Sequence, residues 1–293
     1  MILLLGLMTT LGSLIRATSN PRMPMYISFL SNLLNVLFSS LAIFIFHMGI
    51  VGVALGTILA RLVGVLILWK ELSLPLASWS WKLDWELLRL SLPAAGERLM
   101  MRAGDVVIIA IIVKFGTDAV AGNAIGEVLT QFNYMPGFGV ATATVMLVAH
   151  AVGQVDFQTV RKLTKQTYWL SLGLMLLVAL LIFAFGQPLT HLYTKDSGAV
   201  TASLSVILFS LLGVPMTAGT VIYTAVWQGL GNAKLPFYAT TVGMWLIRIV
   251  AGYFLGVTLG LGLSGVWSAT LLDNGFRWFF LQIIYQRKMR EIT

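Results

Sequence analysis

The chain has 293 residues, 58% of them hydrophobic and 10% charged, with a net charge of +8 and a mean hydropathy of +0.89. A soluble domain carries about 25% charged residues, so this composition places the chain in a lipid bilayer. The positive charge does not mark a nucleic-acid binder, because Lys and Arg lie in short loops between apolar runs; the absence of cysteine excludes disulfide frameworks, thiolate metal sites and cysteine nucleophiles.

With about 20 apolar residues to a crossing, nine spans are expected, at 1–15, 24–46, 49–69, 90–113, 118–149, 168–189, 199–228, 236–257 and 262–285. The first lacks the basic leader and small-residue cleavage site of a signal peptide, and its positive charges follow it. The loop behind it, Arg16 to Tyr26, recurs at Gln228 to Tyr238. Asn20, Arg22, Pro24 and Tyr26 match Asn232, Lys234, Pro236 and Tyr238, and each copy is a polar turn running into a long apolar segment. Further on, Met48 to Thr57 recurs as Leu261 to Thr270, so the chain reads as two duplicated halves.

Residues 1–69 then hold three helices, the C-terminal half of a first lobe, and residues 90–293 hold the six helices of a second. Between them, 70–89 carries Trp79, Trp81 and Trp85 among Lys82, Asp84 and Glu86, the pattern of an amphipathic cytoplasmic linker in the membrane interface. Aligning the repeated loops leaves three helices of the first lobe without counterparts. Arg61, about midway along its span, fits that reading, because residues 1–69 contain no Asp or Glu. Its acidic partner is expected from the second half or from sequence outside this chain.

Alternate loops give the orientation. One set holds Arg16, Arg22, Lys70, Lys82, Arg89, Arg161, Lys162, Lys165, Lys234, Arg287, Lys288 and Arg290, and the opposite set only Lys114 and Lys195. By the positive-inside rule the C-terminus is cytoplasmic and the N-terminus of this chain outside.

Ionisable residues within the spans carry the chemistry. At 3.6 residues per turn, Glu97, Arg98, Met101, Arg102 and Asp105 fall within about 140° of one another, on a helix face expected to look into the bundle. Arg102 and Asp105, at i,i+3, either neutralise each other or join a site. Glu97 has only Arg98 beside it in sequence, pointing elsewhere, which leaves a carboxylate able to bind and release a proton or cation. Glu127 enters its own span from the other side to a similar depth, so the two carboxylates are candidates to meet near the midplane. Asn123 and Gln131 add neutral hydrogen-bonding groups there, and Tyr134, Met135 and Phe138 an apolar wall; helix packing with a kink at Pro136-Gly137 is the competing reading. In the last hairpin Arg248, Asp273 and Arg277 all approach mid-membrane and are expected to form one structural ion cluster. His47, His150 and His191 lack metal-ligand spacing, and no phosphate-cradling glycine loop occurs, so no enzyme is expected.

The two loop–helix units, the run Leu92-Pro93-Ala94-Ala95-Gly96-Glu97, the stretch Tyr134-Met135-Pro136-Gly137-Phe138-Gly139 and Gly265-Val266-Trp267 with Asp273 and Arg277 together resemble the multidrug and toxic compound extrusion (MATE) transporters. The resemblance covers essentially the whole chain. It implies an all-α, polytopic membrane protein, here about nine helices of a twelve-helix, two-lobe fold with the first three absent, and a secondary transporter driven by H⁺ or Na⁺ without other cofactors. Expected partners are an amphipathic, cationic small molecule and the plasma-membrane bilayer; the protein is expected to be a monomer. A flippase of lipid-linked saccharides and a non-transporting fragment or partner subunit are the alternatives. Single cysteines at Ser19, Gln158 and Thr293 should react only with membrane-permeant thiol reagents in intact cells, and those at Lys114 and Ser197 with impermeant ones. Labelling of Gln158 from outside would refute the nine-span topology.

Overall fold

A computed structural model describes residues 2–18, 22–72 and 85–292. Most of the linker, including Trp79, Trp81, Lys82 and Asp84, and the loop residues Ser19, Asn20 and Pro21 lie outside these described residues. The chain divides into two compact units, residues 1–82 and 83–293.

The first unit contains α1 (Ile2–Thr18), α2 (Met23–Phe44) and α3 (Gly49–Leu72). Pro24 stands in the first turn of α2, where a missing N–H leaves no helical bond unmade. Leu11, Ile15, Ile27, Val65 and Leu68 form the core. Between α2 and α3 the chain turns through Gly49 at φ +57°, and α3 then lies against α2 so closely that a Cβ on Gly56 would stand 2.9 Å from the Ser39 nitrogen.

The second unit contains α4 (Trp85–Ile112), α5 (Thr117–Gly153), α6 (Phe157–Ala184), the short α7 (Gly186–His191), α8 (Ser197–Gly229), α9 (Lys234–Thr258) and α10 (Gly262–Ile292). Among the described residues α2, α3, α5, α6, α8 and α9 are long and apolar enough by themselves to cross a membrane. The other three expected spans correspond to α1, a 17-residue apolar helix, and to α4 and α10, whose 28 and 31 residues include the charged side chains discussed below.

Helix α6 begins at Phe157, well before the expected 168. The Asp156 carboxylate caps it by accepting from the Thr159 amide at 3.0 Å, and a polar turn with Arg161, Lys162 and Lys165 extends the helix beyond its apolar stretch. Hydrogen bonds from the Thr159 hydroxyl and amide hold the Asp156 carboxyl below its usual range. Helix α5 continues through Pro136 to Gly153 as one 37-residue element, with Gly137 packed on Met175. Helix α9 contains two π-helical stretches, Gly243–Ile249 and Phe254–Thr258.

Small residues set the spacing where α5 and α8 begin side by side, as expected where lipid supplies no hydrophobic drive between helices. A Cβ on Gly122 of α5 would stand 2.4 Å from Ala202 Cβ and 2.6 Å from the Ala199 carbonyl oxygen, both on α8. At the other end of these helices Val148, Val160, Ile222, Val226, Trp227 and Leu281 join α5, α6, α8 and α10 in one core. Gly122→Ala should therefore force α5 and α8 apart and lower stability by about 1–3 kcal/mol, read as a fall in the thermal midpoint in detergent. Gly173→Ala, where nothing lies within 4 Å of the new methyl group, should leave the midpoint unchanged or higher.

Candidate functional site

The ionisable residues of the second unit gather where α4, α9 and α10 meet, in two layers about two helical turns apart. In the first, Glu97 is buried at 8% exposure, and Thr240 Oγ1 of α9 donates to its Oε1 at 3.2 Å. One turn further along α9 the buried pair Arg277–Asp273 of α10 closes at 2.9 Å, and Arg277 Nη2 also donates to Asn274 Oδ1 at 2.9 Å. Gly243 makes this arrangement possible: a Cβ there would stand 2.2 Å from Asp273 Oδ1 and 2.9 Å from Arg277 Cγ. Thr240 and Gly243, one turn apart, thus face Glu97 and the ion pair respectively. The Arg98 and Arg277 charges both act on Glu97, although neither guanidinium forms a salt bridge with it among the described residues.

In the second layer Arg248 Nη1 lies 3.6 Å from Asp105 Oδ1, and its Nε donates to Thr270 Oγ1 at 3.1 Å. Arg102 reaches the same carboxylate at 3.5 Å with a side chain 88% exposed. The expected single cluster of Arg248, Asp273 and Arg277 is therefore divided. Arg248 turns to α4 and takes Asp105, because the Asp273 carboxylate is held by Arg277 one turn along its own helix. The α4 charges likewise do not share one inward face: Glu97 is buried, Asp105 half-buried, and Arg98 and Arg102 exposed.

Helix α5 carries the remaining candidates. Asn123 is buried and accepts from Trp267 Nε1 at 3.0 Å, which ties α5 to α10. Glu127, Gln131, Tyr134, Met135 and Phe138 follow one another at helical spacing along a single stripe, with Tyr134 half-buried and the other four exposed. Glu97 and Glu127 are not brought together: one is enclosed against α9, and the other stands open on α5.

Some polar residues escaped the sequence reading. Asn133, fully buried one residue before Tyr134, donates to Ser210 Oγ at 3.0 Å, and its Oδ1 has no partner among the described residues. Thr240, Thr270, Ser210 and Asn274 are others. Each is a neutral polar residue of a kind too common in helices to separate from those that bond only their own backbone. In the first unit Arg61 lines a cavity of about 260 Å³ with Arg16, Ser28, Asn32 and Asn35, and it makes no hydrogen bond or ion pair with a described residue of that unit. No three Asp, Glu, His or Cys side chains converge as a metal site among the described residues.

Six apolar helices long enough to cross a membrane, among the described residues, mark a multi-pass membrane protein. The chain belongs to the MatE family, whose profile matches residues 93–254. It is similar to the probable multidrug resistance protein NorM of Thermotoga maritima, at 28% identity over 93% of this chain and 61% of that protein. It is also similar to the uncharacterized transporter YisQ of Bacillus subtilis, at 25% identity over 93% of this chain and 63% of that protein. Its fold matches an outward-facing multidrug resistance MATE family transporter of the MOP superfamily, with a TM-score of 0.86 at 20% identity over 96% of this chain and 65% of that one. A Vibrio cholerae MATE transporter, VcmN, gives 0.85 at 22% identity over 97% and 66%. The chain thus spans a little over three fifths of the length of these two curated relatives. The family inferred from the repeated loops is the one found, and it is a family of transporters rather than enzymes.

Asp273→Asn leaves Arg277 buried without an anion and should lower stability by about 3 kcal/mol or more, seen as reduced expression and a lower thermal midpoint. Arg102→Gln removes an exposed pair and should change stability by less than about 1 kcal/mol.

Proposed function

We propose that this protein forms part of a secondary antiporter that exports amphipathic, cationic compounds in exchange for H⁺ or Na⁺, with Glu97 as the coupling carboxylate. The observation that carries the proposal is the contrast between two buried acids of one interface. Asp273 is neutralised by Arg277 at 2.9 Å, whereas Glu97 receives one neutral hydrogen bond, from Thr240. A desolvated carboxylate held only by a hydroxyl is costly as a free anion, so closing its surroundings to water favours uptake of a proton or small cation, and opening them favours release. Coupling release to one orientation of the lobes and uptake to the other is antiport.

In this reading the open stripe of α5 receives the cargo. Glu127 and Gln131 supply charge and hydrogen bonding, Tyr134 a ring with a polar tip, and Met135 and Phe138 adaptable apolar area for bulky compounds. Asn123 and the Arg102–Asp105–Arg248 layer support the helices that present it. The plasma membrane is the proposed location, with the C-terminus in the cytoplasm, where the basic loops lie. NorM of Thermotoga maritima, a probable multidrug resistance protein, supports this cargo class.

The test is made in the full-length gene product. Glu97→Gln keeps size and hydrogen bonding but fixes the group neutral; it should express normally and cut gradient-driven export of a cationic dye by at least about tenfold. Glu97→Asp should retain partial activity. Normal export by Glu97→Gln would remove the coupling role from this residue.

A further inference from the structure

A second cavity, of about 320 Å³, lies between α6, α8 and α10, at the end of the bundle where α6 begins and α8 and α10 finish. Its wall is aromatic. Tyr168 stacks on Trp278, with centroids 5.6 Å apart and planes at 20°, and Tyr223 meets Tyr285 edge-on at 5.6 Å. Tyr285 is fixed in turn by a 3.0 Å hydrogen bond between its hydroxyl and that of Thr164. Around this wall stand Lys165, Arg161, Gln282 and Gln286, and no Asp or Glu lines the cavity. The Arg161 guanidinium is anchored by donating to the Met289 carbonyl. Within the lining, Trp278 Nε1 is a buried donor with no partner among the described residues.

A simple interfacial belt of Trp and Tyr turns its polar tips towards water. Here the rings stack on one another, a buried indole N–H has no acceptor among the described residues, and Lys165 beside it stands in a lining without Asp or Glu. A buried donor is normally paired. The complement to this set is an anionic acceptor carried on an apolar body, at the depth where Arg161, Lys162, Lys165, Arg287, Lys288 and Arg290 collect.

We propose that this cavity binds the phosphate headgroup of an anionic phospholipid, with Lys165 and the Trp278 indole N–H recognising the phosphate and the Tyr168–Trp278 stack receiving the apolar part of the molecule. Basic pockets between transmembrane helices on the cytoplasmic side are suited to such headgroups. Lipid bound there bridges α6 to α10 and stabilises the lobe independently of any cargo.

The test titrates the purified full chain in detergent with short-chain phosphatidylglycerol, phosphatidylcholine of the same chain length and inorganic phosphate, and follows the thermal midpoint. Phosphatidylglycerol should raise the midpoint saturably, and phosphatidylcholine, whose phosphate carries a choline cation that Arg161 and Lys165 repel, should not. Lys165→Gln, at an exposed position, should keep the lipid-free midpoint and weaken the apparent affinity about fivefold; Lys165→Arg should restore it. Trp278→Phe leaves an aromatic face for Tyr168, removes the N–H together with part of the ring and should weaken affinity by about tenfold. An equal response to phosphatidylcholine, a shift by inorganic phosphate as large as that by phosphatidylglycerol, or unchanged phosphatidylglycerol affinity in both weakening variants would overturn the proposal.

Discussion

The second unit is built around a charge that water does not reach. Asp273 is completely buried and its partner Arg277 nearly so. Taking two such groups out of water costs several kcal/mol per ion unless they meet closely and their remaining sites are bonded. The 2.9 Å pairing and the side-chain carbonyl of Asn274 meet part of that demand, while Asp273 Oδ1 and Arg277 Nε have no hydrogen-bond partner among the described residues. Closeness in turn requires that α9 present no side chain at the crossing, which Gly243 provides. The π-helical stretch of α9 begins at that glycine and ends at Ile249, so the contact with Asp273 and the displaced guanidinium of Arg248 lie in one widened segment. Such segments recur at functional sites because they re-aim side chains without breaking the helix.

The same interface shows how one set of helices can hold two carboxylates in different states. At Gly243 of α9 an acid is matched by a full positive charge and serves as a fixed joint. One turn away, at Thr240, Glu97 is met by a hydroxyl. The first arrangement resists change and the second permits it. Asp105 is intermediate, shared at 3.5 and 3.6 Å between an exposed and a half-buried arginine, and so neither fully paired nor free.

The internal repeat has a backbone meaning. Gly49 and Gly262, which match in sequence, take φ +57° and +58°, values that residues with a Cβ rarely adopt. Three residues later Gly52 and Gly265 press against the preceding helix, Gly52 on Ala42 and Gly265 on the Leu255–Gly256 backbone. The repeated run is therefore a hairpin device, a left-handed turn followed by a close helix crossing, used once in each unit.

The sequence by itself determined the bilayer environment, the helices, the repeated hairpin, the family and the burial of Glu97. These follow from local facts: apolar runs of membrane length, turn residues at fixed offsets, and a carboxylate with no cation four residues away. The extra turns of α6 were missed because a polar, capped helix end looks like a loop when only apolarity is counted. Tertiary structure alone decided which charges meet. Depth along a helix can be counted from sequence, but the rotation of one helix about its axis against another is set by glycine crossings and π-helical turns. That rotation sent Arg248 to Asp105, kept Glu127 away from Glu97 and gave Glu97 its partner in Thr240, a residue with no mark in sequence.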